Sequence, residues 1–196
     1  MKINKISIYF TIQFAIYMMA FVTKAELTSG ALITMTQGDV QIFSQPKAKS
    51  IGDRSEVLYQ NQYWKSTKAR FGEKIQSGSV VHTGTDGKLR LILPNSDVIN
   101  IGPSSSIVVS VEMEAAGKTK SVDLDALYGK WRAVAQKEEK EKKNFKVKTS
   151  AAVMGVRGTD FSTSFNPAEG RVNLSVLRGE VEMKPTQAKV ESVQVK

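Results

Sequence analysis

Residues 145–161 read FKVKTSAAVMGVRGTDF and form the most informative stretch of the sequence. Its first five positions alternate between lysines and side chains that suit a core, which is the period of a half-buried β-strand. Two small alanines follow, next to which another backbone can pack closely. Gly155 and Gly158 then bracket a short Val-Arg step, and glycine permits a positive φ or a close backbone approach. The stretch therefore predicts a strand that runs into a tight turn.

Arg157 is the candidate anchor of that turn. An arginine between two glycines and near Asp160 suggests a guanidinium held by backbone carbonyls or by a carboxylate. Thr159 and Asp160 can hydrogen-bond the turn's own backbone, and Phe161 returns to the core. We expect a structural role, so that Arg157→Ala costs about 1–3 kcal/mol of stability by orphaning a buried partner. In the alternative, a recognition role, stability is unchanged and partner binding is lost.

In the rest of the chain, glycines separate short segments rich in Val, Ile, Leu and Thr. This pattern is typical of many strands joined by tight turns. Lys88–Leu93 alternates cleanly, and Val98–Ile101 returns after the turn at 94–97. Ala31–Met35 and Val40–Phe43 flank a Gln-Gly-Asp step and predict a hairpin. Further strands are predicted on both sides of two glycines: 121–127 and 131–135 around Gly129, and 171–177 and 180–183 around Gly179.

These segments predict an all-β fold. We expect a sandwich or jelly-roll-like β roll of about a dozen short strands. A β-helical roll stays open as an alternative, although no strict internal repeat is present.

The N-terminal residues have the order of an export signal. Lys2 and Lys5 precede the uncharged run Ile6–Val22, and Thr23 and Ala25 place small residues before a cut after Ala25. The alternative is an uncleaved anchor, but 17 residues are at the short limit of a spanning helix. The chain is divided into a signal peptide, 1–25, a β domain, 26–183, and a C-terminal tail, 184–196.

The net charge of +9 does not indicate a nucleic-acid partner. Cleavage after Ala25 removes three lysines and no acid, which leaves a net charge of +6. In segment 136–143 lysines interleave with glutamates, so that it reads as a solvated loop or short exposed helix. The remaining aromatic residues are not interleaved with Lys and Arg as base-stacking platforms would be. Export also places the protein away from nucleic acid.

The composition argues against catalysis. The chain has no cysteine, which excludes a disulfide scaffold, a Cys-ligated metal and a thiol nucleophile. His82 is the single histidine, which disfavours a Ser-His-Asp arrangement, and we expect it to be structural. Asp123 and Asp125 share one solvated strand face, where two acids usually serve solubility. We predict no enzyme activity, no cofactor and no metal.

One segment clusters aromatic and basic side chains. It is a candidate binding patch for a glycan or an anionic envelope polymer. The alternative is an amphipathic segment that packs on the edge of the sandwich. The cluster consists of Tyr59, Tyr63, Trp64, Lys65, Lys68, Arg70 and Phe71.

Several motifs, in order, resemble the FecR domain family over roughly residues 36–183. The hallmark is a strand that ends in Thr, then small residues, then G-V-R-G-T-x-F. Its positions are Thr149, Gly155, Val156, Arg157, Gly158, Thr159 and Phe161. Other matching segments are Gly72-x-x-Ile75-x-x-Gly78, Val81-x-Thr83-Gly84, Gly102-Pro103-x-Ser105, Leu127-x-Gly129 and Val176-x-x-Gly179-x-Val181.

The resemblance implies an all-β domain that works outside the cytoplasmic membrane and has no chemistry of its own. The best-known members relay a signal from an outer-membrane receptor to a sigma factor through a cytoplasmic anti-sigma segment. Only about five residues precede the apolar run here, so we expect no such segment.

We therefore predict a non-enzymatic, exported binding or signalling module of the bacterial cell envelope, periplasmic or secreted. It acts through contacts with an envelope protein, and no membrane span remains after cleavage. The alternative is a structural or carbohydrate- or peptidoglycan-associated envelope protein.

Overall fold

A computed structural model describes residues 30–114, 118–136 and 144–186, and confirms the all-β prediction. The predicted signal peptide and most of segment 136–143 lie outside these ranges. No helix in the described ranges is long and apolar enough to span a membrane. The strands are β1 (Gly30–Gln37), β2 (Val40–Lys47), β3 (Glu56–Tyr59), β4 (Gln62–Lys68), β5 (Lys74–Gln76), β6 (Ser79–Thr83), β7 (Lys88–Ile92), β8 (Val98–Ile101), β9 (Ser105–Met113), β10 (Thr119–Val134), β11 (Asn144–Lys148), β12 (Ala152–Asn166) and β13 (Arg171–Pro185).

All thirteen strands belong to one hydrogen-bonded sheet, which folds into two layers because its longest strands run through both. The first part of β10 pairs with β9 and β11, and its second part pairs with β8 and β12. Layer I contains β3, β4, β2, β6 and β9, and layer II contains β5, β1, β7 and β8. All pairings are antiparallel except β10 with β11. Buried side chains from both layers form one apolar core.

Each of the three shared strands β10, β12 and β13 contains a glycine with positive φ where it passes between the layers. Gly129 has φ 111°, Gly158 has φ 58° and Gly179 has φ 89°. The β12–β13 register shifts between Arg157 and Asp160, as at a β-bulge, and bulges bend strands. The turns predicted at Gly129 and Gly179 are therefore wrong, because both glycines bend continuous strands.

The predicted hairpin between β1 and β2 is also wrong. β1 pairs with β5 and β7 in layer II, whereas β2 pairs with β4 and β6 in layer I. Both strands bury apolar side chains in the shared core, so the chain crosses from one layer to the other at Gly38. The crossing is fixed by hydrogen bonds from Asp39 N to Asp86 Oδ1 (3.1 Å) and from Gly84 N to Asp39 O (2.9 Å).

The C-terminal boundary of the fold falls slightly later than the predicted start of the tail. β13 continues to Pro185, and Thr186 N donates to Ala151 O over 2.9 Å. Residues 187–196 of the predicted tail lie outside the described ranges.

Candidate functional site

Most of the hallmark segment is structural and lies at the bend of β12. Val156 and Phe161 are buried in the core. The fully buried Thr159 hydroxyl donates to Glu180 O (2.7 Å) and lies 3.0 Å from Arg157 O, so it links β12 to β13 beside the bend at Gly158. This hydroxyl satisfies backbone groups that the bulge removes from the regular ladder.

Thr149 holds the turn that precedes β12. Its hydroxyl oxygen accepts from Ala152 N (2.9 Å) and from Ala151 N (3.2 Å). In addition, Thr149 N donates to Ala152 O over 2.9 Å. The threonine at the end of β11 therefore closes a tight turn with its own side chain.

Arg157 is not the buried anchor that the sequence predicted. It lies within β12, its side chain is exposed, and no hydrogen bond or ion pair of its guanidinium is found within the described ranges. The nearby carboxylate of Asp160 instead receives two hydrogen bonds from Arg132, of 2.8 and 2.7 Å. These bonds lower the pKa of Asp160 and raise that of Arg132. Gly155 lies on the same exposed face of β12 as Arg157 and has ordinary backbone angles.

A second group of motif residues joins the start of β9 to the bend of β10. The Thr83 hydroxyl donates to Gly102 O (2.7 Å) and accepts from Ser105 N (2.9 Å). The Ser105 hydroxyl accepts from Lys130 N (3.0 Å), next to the bend at Gly129. Both hydroxyls belong to buried residues and are occupied by backbone groups. Ser105 is therefore a structural residue and not an available nucleophile.

The predicted aromatic-basic patch is not assembled into one exposed face. Trp64 is only 8% exposed, and its indole N–H donates to Tyr59 O over 3.1 Å. Tyr59 is half-buried, and its hydroxyl lies 2.6 Å from Ser106 Oγ. Tyr63 and Lys65 are the strand neighbours of Trp64 and point away from it, since successive side chains alternate between faces. Lys68, Arg70 and Phe71 are exposed at and beyond the end of β4.

Trp64 and Tyr59 belong to a second apolar cluster on the outer face of layer I. There the β3–β4 hairpin covers outward-facing side chains of β2, β6 and β9. The cluster consists of Phe43, Trp64, Val80, Val57, Tyr59 and Val108.

His82 borders this second cluster, as expected for a structural histidine. Its ring stacks on Phe43 with centroids 5.6 Å apart, and its Nδ1 lies 3.3 Å from the Tyr128 hydroxyl. Burial raises the pKa of Tyr128. Across the residues that the structure describes, no group of His, Asp and Glu side chains is placed to hold a metal ion.

Sequence reasoning missed a groove of about 540 Å³ on the outer face of layer II. We call it the layer II groove. Its outward-facing lining residues come from β1, β7, β8, β10, β12 and β13, and alternate with core residues along each strand. The alternation in Lys88–Leu93 signalled one strand of this face but not its neighbours. The lining side chains are Met35, Lys88, Asn100, Lys130, Arg132, Ser162, Ser164, Asn173 and Ser175.

Among the described residues the sheet ends on one side at β13, which pairs there with β12 alone. This 15-residue strand passes through both layers, and nearly all of its residues are exposed. Its exposed side chains include three large apolar ones, Val176, Leu177 and Met183. At the other ends of the sheet, β3 and β5 contain only four and three residues.

The motif residues at the bend of β12 and those around Thr83 and Ser105 lie within a single family match. The family model described as FecR protein matches residues 79–182, which is just over half of the chain and runs from β6 almost to the end of β13. No curated protein and no solved structure matches the chain. The chain belongs to the FecR protein family.

Proposed function

We propose that this protein is a non-enzymatic, exported binding module of the cell envelope that acts through protein–protein contacts. Family membership is consistent with an envelope signalling or regulatory module. The occupied hydroxyls of Ser105 and Thr159 and the stacked His82 support a binding role over a catalytic one. The partner is an envelope protein that contributes an extended segment.

The observation that carries this proposal is the exposed edge of β13. An edge strand presents backbone N–H and C=O groups that a partner strand can pair with, and proteins normally shorten or block such edges. β13 is long, whereas β3 and β5 are short. Leu177, 56% exposed, supplies apolar contact beside that backbone. A partner strand added here would gain both backbone hydrogen bonds and burial of apolar surface.

The rival function, a glycan-associated protein that uses the segment around Tyr59 and Trp64, has less support at that place. Sugar rings stack on exposed aromatic faces, but Trp64 is buried in the second apolar cluster. The aromatic side chain left exposed nearby is Phe71, which lies beyond the end of β4.

Site-specific photocrosslinking in cells tests the role of the edge. A photoreactive residue at position 183, on β13, should give one adduct of defined mass with an envelope protein. The same residue at position 58, on the short edge strand β3, should give none, although Leu58 is as exposed as Leu177 (64% against 56%). Adding Leu177→Lys to the position-183 protein should abolish the adduct.

Two results would contradict the proposal. Equal crosslinking from positions 58 and 183 would show that β13 is not the contact surface. An adduct that survives Leu177→Lys would show that the edge does not bind through its apolar residues. Export has its own test, since the mature protein should begin after Ala25. An intact Met1 on soluble cytoplasmic protein would overturn it.

A further inference from the structure

The layer II groove is built from side chains that lie opposite one another on adjacent strands. One row runs from Asn100 through Arg132 and Ser162 to Ser175, and Arg90 lies next to Asn100 just outside the lining residues. A second row contains Lys130, Ser164 and Asn173. The first row crosses four strands, so at the usual strand spacing it is about 14 Å wide. The groove is therefore wide enough for several units of a linear polymer.

The positive charge in the groove is only partly neutralised. Arg132 is paired with Asp160 (2.7 Å), and Arg90 donates from Nε to Asn100 Oδ1 (2.7 Å). Lys88 and Lys130 are exposed, and neither has an ion-pair partner in the part of the chain that the structure describes. Arg132 is fixed in the floor of the groove and Arg90 lies beside it, while the two lysines are available to an anionic ligand.

Neutral hydrogen-bonding groups lie between these charges. Ser162 and Ser175 face each other on β12 and β13, and within the described ranges their hydroxyls have no protein partner. Asn173 Nδ2 donates to Ser164 Oγ over 3.2 Å, which leaves the amide oxygen free to accept. Hydroxyls and amides can bond the many hydroxyl groups of a sugar, whereas a simple anion would need only the lysines.

The groove continues past Lys130 into a second depression. The two share Lys130, Ser164 and Asn173, and the second is also lined by Tyr128 and Arg171. Arg171 lies 3.2 Å from Glu169 and so contributes little net charge. The continuous depression suits an extended ligand better than a compact one.

We propose that the layer II groove binds a linear acidic glycan. The lysines would pair with its carboxylates, and the serine and asparagine side chains would bond its hydroxyl groups. Single-stranded nucleic acid fits less well, because the bases would need exposed aromatic faces and Trp131 in the groove wall is buried. A membrane surface also fits less well, since Met35 is the one apolar side chain among the outward-facing lining residues. The groove uses the side chains of Asn173 and Ser175 on β13, whereas the partner strand proposed above would pair with the β13 backbone.

Calorimetry with a galacturonic acid hexasaccharide tests the proposal on the protein that begins at residue 26. The double variant Lys88→Gln/Lys130→Gln should weaken binding about tenfold or more, because each lysine loses a charge-assisted hydrogen bond. A matched control, Lys68→Gln/Lys74→Gln, removes the same charge outside the groove and should change affinity less than about twofold. Thermal unfolding should show all variants folded.

A second pair of substitutions separates a glycan site from a general anion site. Ser162→Ala/Ser175→Ala keeps the charge and should weaken hexasaccharide binding several-fold while leaving binding of inorganic polyphosphate unchanged. Three results would overturn the proposal: no binding of the hexasaccharide, equal loss in both lysine double variants, or no effect of the serine substitutions. Tighter binding to phosphatidylglycerol vesicles than to the hexasaccharide would also overturn it and would assign the face to a membrane surface.

Discussion

The outer face of layer I is covered, whereas the outer face of layer II is exposed to solvent. On layer I, outward-facing Phe43 and Val80 are covered by the β3–β4 hairpin, and Trp64 completes a second apolar cluster. On layer II, outward-facing Lys88, Arg132 and their neighbours remain open to solvent as a groove. In both layers, the side chains of each strand point alternately into the shared core and outward. The choice of outward-facing residues therefore decides whether a layer acquires a cover or a ligand surface.

The largest effect should come from breaking the cover of layer I. Trp64→Ala should cost about 3–5 kcal/mol, because it removes a buried aromatic side chain and leaves a cavity. Urea unfolding measures the loss, and hydrogen exchange should show β3 and β4 opening first. Tyr63→Ala is the control, since the Tyr63 side chain points away from the cluster, and it should cost much less. Equal losses in the two variants would show that the cover does not depend on Trp64.

The next largest effect should come from a substitution at the bend of β13, a strand that passes through both layers. Gly179→Ala should cost about 1–3 kcal/mol, because residue 179 has φ 89° and a Cβ there would press on Gly158 O and Thr159. Gly155→Ala is the matched control on β12, since a Cβ at 155 would meet only Glu182 O at 4.0 Å. Thermal unfolding compares the two variants. A Gly155→Ala protein as unstable as Gly179→Ala would contradict the assignment of the bends.

A smaller, pH-dependent effect should come from the groove floor of layer II. Arg132 holds the pKa of Asp160 below its ordinary value of 3.8, so the ionised form is the one that folding favours. The stabilisation is present above the pKa of the unfolded state and is lost as the pH falls through the folded pKa. The difference in unfolding free energy between the native protein and Asp160→Asn should therefore shrink as acid is added below about pH 4. A difference that stays constant down to pH 2 would contradict this.

The smallest effect should come from Arg157, on the part of layer I that the hairpin leaves open. Since its guanidinium has no partner within the described ranges, Arg157→Ala should change stability by less than about 0.5 kcal/mol. This replaces the larger cost expected from the sequence. A loss above about 1 kcal/mol in urea unfolding would restore the structural role, whereas loss of crosslinking with unchanged stability would assign recognition.

The all-β fold could be predicted from local patterns because alternation and turn residues act over a few positions. The alternation at Lys88–Leu93 corresponds to β7, Lys88–Ile92. The turns predicted at Gly129 and Gly179 were wrong for a physical reason. A glycine with positive φ occurs at a bend inside a strand as well as at a turn between strands. Local patterns cannot separate these cases, because the difference depends on pairing with distant strands.

The candidate site was harder to predict than the fold. Trp64 lies among basic residues in the sequence. It is nevertheless buried, because it packs against Phe43 and Val80 from other strands. The layer II groove collects residues from Met35 to Ser175. Its parts are ordinary outward-facing positions in six separate strands, and only the strand order brings them together.

The crossing of the chain between β1 and β2 has a consequence for any shortened form of the protein. The family match begins at residue 79, after both strands. In the complete fold, β2 protects the side of β6 and β1 protects the side of β7. A fragment trimmed to 79–182 would expose both strands to aggregation and would lose Ile33 and Ile42 from the core. We therefore expect the fragment 79–182 to be less stable and more prone to aggregate than the fold that includes β1 and β2.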